Sequence, residues 1–595
     1  MSRKNLLFAC AAAVVLIAAA YANSLDNSFH FDDWHVIESN LFIRSLHNVP
    51  LFFSDAHTFS SLPQNATYRP LVTLSLALDY ARGGGLAPRA FHVTQIALML
   101  ITGTLLFVFF VRITGSPAAS LFAAALFCLH TANTETMNLI SARSELLSTI
   151  GLLGSFVLFQ RSPFARRTLL YLVPLAIGAL AKAPLVVFAP LLFAYVALFD
   201  DRRRAWRDAL PPLILGAGLL AFLNSMNAPE WQSGGGSAYH YVITQPFIWL
   251  HYFRLFFLPI GLTADSDLPT FDHWYDTRAI AGYAFVALLI VAIVRTAKRE
   301  ETRPIAFGLI WFAVALAPTS IFPLAEVMNE HRLFFAYIGL VLAVTWFAAL
   351  HLPRRALAPL AISVLVINAA GTHQRNEAWR SEASLWTDVV AKSPGNGRAW
   401  MNFGLTRMAK GAYAEAKTAY DRAALLTPNY SILEINRGIV EGELGDQAAA
   451  EAHFRRALQL NADSNAHFFY ARWLVKEGRA PEALPHLREA MRQSSGMIDA
   501  RALLLRLDAA AGEENELRAL VDETRRVDPA EPVLAEVTRT WPDERAAIDA
   551  GLAATNRSDW LAAAHAFRDA LRHNPTSAEA AKSLDESLRK LGLAK

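Results

Sequence analysis

The chain has 595 residues, more than one ordinary domain holds; 54% are hydrophobic, 18% are charged, and the mean hydropathy is +0.26. That balance points to a membrane protein, and a net charge of only +3 gives no electrostatic basis for binding nucleic acid. The two cysteines, Cys10 and Cys128, lie inside apolar runs, where they pack as small hydrophobes and form neither a disulfide nor a metal site.

The N-terminus, "MSRKNLLFACAAAVVLIAAAYANS", reads equally as a cleaved signal peptide or a retained first span. The apolar blocks that follow favour the span, over residues 5–22. Further candidate spans cover 91–112, 117–131, 144–160, 168–181, 183–199, 209–224, 279–296, 304–322, 332–350 and 356–371, about eleven in all, each near or a little short of the length a bilayer needs. The block 168–199 is too long for one crossing and breaks at "LAKAPL", where Lys182 and Pro184 suit a turn. The aromatic stretch "YVITQPFIWLHYFRLFFLP" (241–259) is expected to be re-entrant or interfacial, because His251 and Arg254 make a full crossing costly.

Basic segments set the orientation, since Lys and Arg stay on the cytoplasmic side. Arg3 with Lys4, and the segments 161–167, 200–207, 295–303 and 353–355, are assigned inside. The C-terminal part then lies outside, and five polar clusters share that outer face. They are the first loop with Asp32 and Asp33, the turn "HTANTETMNLISARSEL" (130–146), the Lys182 turn, the loop 225–278, and "EVMNEHR" (326–332). The charges served only to fix the inside, so this gathering is an independent indication of a site.

From about Gly371 the composition becomes Ala-, Arg- and Glu-rich, with no run able to span a bilayer. A period of about 34 residues emerges, that of the helix–turn–helix tetratricopeptide repeat. Trp400, Gly404, Ala416, Tyr420, Ala423 and Pro428 hold its signature positions. Gly438, Ala450, Phe454 and Ala457 repeat them, as do Gly551, Ala563, Phe567, Ala570 and Pro575. Trp386 and Pro394 fit a half-repeat, 465–498 is a weaker unit, and 499–543 is degenerate. Such arrays bind peptides or proteins in a concave groove. The expected architecture is all-α: a membrane domain over 1–371, a linker with a half-repeat over 372–396, and an extracytoplasmic repeat domain over 397–595.

The order of an acidic pair after the first span, "YRPLVTLSLALDY" (68–80), "FHVTQIALML" (91–100), "LHTANTETMNLISARSELL" (129–147), "LAKAPL" (180–185), "FPLAEVMNEHRLFFAYIGL" (322–340) and "RNEAW" (375–379) leading into repeats resembles the transmembrane and tetratricopeptide-repeat (TMTC-like) O-mannosyltransferases, GT-C glycosyltransferases. The resemblance covers almost the whole chain. It implies an enzyme that moves a sugar, mannose in that family, from a polyprenyl-phosphate donor to Ser or Thr of a protein. It also implies that a first-loop carboxylate, Asp32 or Asp33, serves the acceptor hydroxyl. The Ala- and Arg-rich composition suggests a bacterial inner membrane, with undecaprenyl phosphate as the lipid and the active site and repeats in the periplasm. Transfer to a lipid or polysaccharide, and a non-catalytic scaffold that presents the repeats, are the competing readings.

A hydroxyl is a weak nucleophile, so attack on an anomeric carbon benefits from a positioned carboxylate base, and the leaving phosphate needs cations. Asp33 is preferred slightly to Asp32 as the base; the bland alternative for Asp32 is an N-cap for "WHVIESN". Lys182, and Arg332 with His331, are the candidate donor-phosphate ligands, against simple snorkelling of the lysine to headgroups. Arg69, Glu135, Arg143, Glu145 and Glu330 are read as the site rim or as structural ion pairs. "DSD" at 265–267 imitates a metal-binding Asp-x-Asp, a spacing common by chance in acidic loops, and the histidines show no zinc spacing, so no metal ligand is assigned and dependence on a divalent metal is left as an open but disfavoured alternative.

Overall fold

The computed structural model describes residues 2–182, 185–229, 236–511, 514–527, 531–538, 542–591 and 593. Among them the regular structure is helical throughout, and the chain packs as two compact units, Met1–Asp446 and Gln447–Lys595. The first unit therefore runs past the compositional change near residue 371 and takes in the half-repeat and the first full repeat.

A helix forms at every position expected of a span, but the lengths differ. Among the described residues eight are long and apolar enough to cross a membrane: Arg3–Asp26, Pro88–Thr114, Ile140–Arg161, Arg202–Met226, Thr277–Ala297, Glu300–Ile321, Glu330–His351 and Arg354–Trp379. The helices Pro117–Leu129, Leu172–Ala179 and Leu185–Phe199 have 13, 8 and 15 residues and fall short of the ~20 that a bilayer requires. The expected eleven full spans are thus eight long helices and three short ones. Lys182 lies just after the first of the short pair, and Pro184, the other half of the expected turn, lies outside the described residues.

Small residues let these helices approach closely. A Cβ on Gly308 or Gly339 would strike the backbone of the other's helix, and one on Gly151 would meet the backbone of Pro174 and Gly178. Around these crossings Phe109, Phe156, Phe307 and Trp311 fill the core at centroid spacings of 5.0 to 6.2 Å. The stretch 241–259 falls in one helix, Ala238–Phe257, whose polar edge is satisfied by neighbours: Trp249 donates to Ser320 at 2.8 Å and Tyr252 to the Asn329 carbonyl at 2.9 Å.

The repeats pack as their pattern requires. Ala416, Tyr420 and Ala423 are fully buried in the first unit, as are Ala450, Phe454 and Ala457, and Ala563, Phe567 and Ala570, in the second. The glycines explain themselves by contact: a Cβ on Gly404 would enter the Tyr420 ring, and one on Gly551 the Phe567 ring. The weaker unit forms the pair Ser464–Lys476 and Ala480–Gln493, and the degenerate stretch keeps helices at Ile498–Ala511, Glu514–Val527 and Pro532–Thr538.

Candidate active site

The first loop folds as a chain of short helical turns, and its acidic pair splits. Phe31, at φ 50°, occupies the left-handed region that a non-glycine residue rarely adopts. Its ring is pinned against Trp379 and Trp386 at 6.2 and 4.8 Å. A single π-helical turn, Trp34–Glu38, follows, the kind of irregular turn that frequents functional sites. The corner sends the two carboxylates in opposite directions.

Asp33 is fully buried. Its carboxylate accepts the backbone N–H groups of Ser141 at 2.7 Å, Ile140 at 3.1 Å and His30 at 3.2 Å. Burial nevertheless dominates and pushes it up to about 6. It staples the first loop to residues 140–141 and does not line the cavity. Asp32 does: its side chain is 68% exposed to the cavity, 3.5 Å from His35 Nε2. It caps no helix through its side chain, since the turn's N-cap is Asp33, which makes no capping bond either. Burial by the surrounding walls raises the Asp32 carboxyl, but the hydrogen bond and charge of His35, with His331 and Arg69, outweigh it and hold the group below the usual range.

That cavity, about 320 Å³, is polar and is lined by Asp32, His35, Asn65, Arg69, Glu145, Lys182 and His331 among others. A second cavity of about 410 Å³ adjoins it, walled by apolar groups such as Val187, Leu220, Leu223 and Phe335, with Arg332 at its edge. Thr67, Arg69, Glu145 and Lys182 line both. The cations at this junction are not equivalent. Lys182 is paired with Glu145. Arg69 lies 5.0 Å over the Phe59 ring and forms no ion pair among the described residues; burial draws its affinity for the proton down, while Glu145 and Asp32 support it from a distance. Among the described residues Arg332 bonds only neutral oxygens, the carbonyls of Glu326 at 3.0 Å and Val327 at 3.3 Å and the Tyr241 hydroxyl at 3.5 Å. Buried polar atoms without partners sit here too, the Thr67 hydroxyl and one oxygen of Glu135, whose other oxygen bonds His331 at 2.6 Å.

Of the residues singled out from sequence, Asp32, Arg69, Glu145, Lys182 and His331 meet in one cavity, Arg332 in its neighbour, and Glu135 behind His331. Three lie elsewhere. Asp33 is sealed. Arg143 is fully buried, bonded to Asp79 at 2.6 Å, Phe91 O at 2.9 Å and Gln95 at 3.0 Å. Glu330 is buried and accepts the Thr263 N–H. The residues that sequence reasoning missed are Phe31, His35, Asn65, Thr67 and Asp79. Asp79 and His35 stood in quoted stretches; Phe31, Asn65 and Thr67 carry no charge signal of their own.

The Asp-x-Asp imitation has a different partner. Asp265 takes Arg398 through both oxygens, at 2.8 and 2.9 Å, Arg398 also reaches Glu326 at 2.8 Å, and Asp267 accepts the Gly395 N–H at 3.1 Å. The pair therefore ties the start of the first repeat to the loop 265–267 within the first unit. Among the described residues no group of three His, Cys, Asp or Glu side chains could hold a metal ion.

Tetratricopeptide-repeat family models match residues 397–430 and 435–498. Three curated relatives align over much of the chain. The protein O-mannosyl-transferase F38B6.6 of Caenorhabditis elegans is 23% identical, over 72% of this chain and 63% of its own length. Protein O-mannosyl-transferase TMTC4 of Mus musculus is 25% identical, over 64% and 62% respectively. Protein O-mannosyl-transferase TMTC3 of Mus musculus is 22% identical, over 75% and 54%. The alignments thus span less than two thirds of these relatives' length.

Proposed function

We propose that this TMTC-like membrane chain is a glycosyltransferase that moves a hexose, with mannose the sugar its relatives' names indicate, from a polyprenyl-phosphate carrier to Ser or Thr of an extracytoplasmic protein. The observation that carries the reading is the junction of the polar cavity holding Asp32 with the apolar cavity, through shared Arg69 and Lys182. An amphiphilic donor fits that division. Its prenyl chain occupies the apolar side, its phosphate the cations, and its sugar the polar side within reach of Asp32.

The acceptor oxygen attacks the anomeric carbon, Asp32 takes the hydroxyl proton, and the carbon–oxygen bond to the lipid phosphate breaks with its electron pair remaining on the phosphate. Arg69 and Arg332, which have no carboxylate partner among the described residues, hold the developing charge, and Lys182 joins them by exchanging Glu145 for phosphate. Asp32 replaces Asp33 as the assigned base, because Asp33 spends its carboxylate on three backbone donors. The repeats recruit the acceptor protein. The setting that agrees with the basic-segment pattern is a bacterial inner membrane with the site in the periplasm.

The test compares intact masses of extracytoplasmic proteins from cells expressing wild type, Asp32→Asn or Asp33→Asn. Loss of a hexose in Asp32→Asn at normal protein level supports the assignment. Retention of the hexose in Asp32→Asn, against a deletion that loses it, rejects Asp32 as the base. An identical profile in the deletion rejects the enzyme reading in favour of a scaffold.

A further inference from the structure

A third cavity, the largest of these at about 560 Å³, lies apart from the two already described and shares no residue with them. It is formed where residues 256–262 meet the end of helix Arg354–Asn376 and the start of the half-repeat. Its mouth is apolar: Phe257, Leu258, Ile260 and Ile367 line it and all are more than half exposed. Ile367 belongs to the flank of a helix that is long and apolar enough to cross a membrane and is mostly exposed along it. Lipid chains are the natural cover for such a flank.

The other end of the cavity is cationic. Arg375, the first residue of the "RNEAW" motif, is only 7% exposed. One of its nitrogens, Nη1, bonds Asp388 at 2.5 Å, while Nε and Nη2 are buried with no hydrogen-bond partner. Lys392 also contacts Asp388, at 2.7 Å, and donates to the Leu262 carbonyl at 2.8 Å. Two cations therefore share one carboxylate, and two guanidinium nitrogens have no acceptor among the described residues. A buried donor without a partner costs on the order of 1–3 kcal/mol and more when charged, so the guanidinium keeps hydrogen-bonding capacity for an anion that no described side chain meets directly. Phosphate, whose oxygens a guanidinium fork can hold in pairs, has the chemistry to meet them. Glu330, a buried carboxylate that Arg375 acts on through charge, accepts the Thr263 N–H and forms no ion pair with Arg375 among the described residues.

We propose that this cavity binds a phosphate-headed lipid, the phosphate on Arg375 and Lys392 and the chain along Ile367, Phe257 and Ile260, as a second lipid site separate from the donor cavity. A prenyl phosphate and an anionic phospholipid share this chemistry, and the measurement separates them.

Native mass spectrometry of the full chain, in detergent and carrying Arg69→Gln with Arg332→Gln to disable the donor cavity, counts retained lipid when phosphatidylglycerol, a prenyl phosphate or inorganic phosphate is titrated. One lipid should be retained. Adding Arg375→Gln, or Ile260→Asp at the exposed mouth, should weaken retention roughly tenfold, the loss of one charge-assisted hydrogen bond or of a lipid-compatible rim. Ile260→Asp decides the matter if Arg375→Gln does not fold. Preference for the prenyl phosphate or for phosphatidylglycerol names the source, and either supports the site. Equal retention in all variants, or binding of inorganic phosphate without either lipid, overturns it.

Discussion

The carboxylate of Asp33 accepts the Ser141 backbone N–H at 2.7 Å, joining the first loop to a turn 108 residues further along the chain. With Ile140 and His30 also donating to it, Asp33 holds the corner at which Asp32 is presented to the cavity. Adjacent acidic residues here divide labour by geometry: one builds the wall, the other faces the space inside. Asp33→Asn should therefore lower stability, by roughly 2–4 kcal/mol, because an amide nitrogen replaces an acceptor among buried donors. Asp32→Asn, at an exposed side chain, should change stability by less than about 0.5 kcal/mol, yet reduce transfer about 10²- to 10⁴-fold. Thermal unfolding in detergent and hexose transfer to an acceptor peptide check the two halves separately.

The same pair predicts opposite pH behaviour. Asp33 sits at about 6, above the ordinary 3.8, so its protonated form is favoured by folding. That contribution is complete below about pH 4 and fades as the pH rises to about 6, by roughly 3 kcal/mol at most. Thermal midpoints should fall across this window, and Asp33→Asn should flatten the fall. Asp32 is held below 3.8, so it stays ionised throughout and transfer should be lost only when the pH drops beneath the ordinary carboxylate range. A transfer rate that fell already between pH 6 and 5 would contradict its assignment.

These differences mark where sequence could and could not see. The helices were legible because hydropathy and length act locally, and the repeats because Gly404 with Tyr420 and Gly551 with Phe567 recur at one spacing for one steric reason. The gathering of Asp32, Lys182 and Arg332 followed from the side of the membrane assigned to each. Which aspartate faces inward did not, since it depends on donors at 140–141 and on the strained Phe31. Nor did the fate of Arg143, fixed by Asp79 on another helix, or of the Asp-x-Asp pair, fixed by Arg398. Charge in sequence announces a partner without naming it.

Arg398 joins Asp265 and Glu326, and Glu326 in turn offers its carbonyl to Arg332. Burial works against the Arg398 cation, but its bonds to Asp265 and Glu326 prevail and hold its proton more tightly than usual. Removing it as Arg398→Gln leaves Asp265, only 3% exposed, without its cation. Hydrogen exchange should then speed roughly tenfold or more at residues 262–268 and 326–328, as expected for a local opening eased by about 1.4 kcal/mol or more. Exchange in the helix Ser464–Lys476 should not change. Unchanged exchange at both loops would show that the docking rests on other contacts.

The cations at the cavity junction should separate by their present partners. Lys182 must leave Glu145 to meet a phosphate, so part of its attraction is already spent, and Lys182→Gln also strands Glu145 in a largely buried place. Arg69 has no such partner, and a planar guanidinium grips phosphate oxygens in pairs. Arg69→Gln should thus raise KM for the lipid donor and lower kcat/KM by roughly 10²-fold, the loss of about 2–3 kcal/mol of charge-assisted bonding. Lys182→Gln should cost less in kcat/KM but more in thermal stability, and the double variant Lys182→Gln with Glu145→Gln should recover the stability without recovering the lost transfer. Steady-state kinetics with a short-chain prenyl-phosphate sugar, alongside unfolding midpoints, resolve the two effects. Recovery of both together would make the Lys182–Glu145 pair purely structural and leave the phosphate to Arg69 and Arg332.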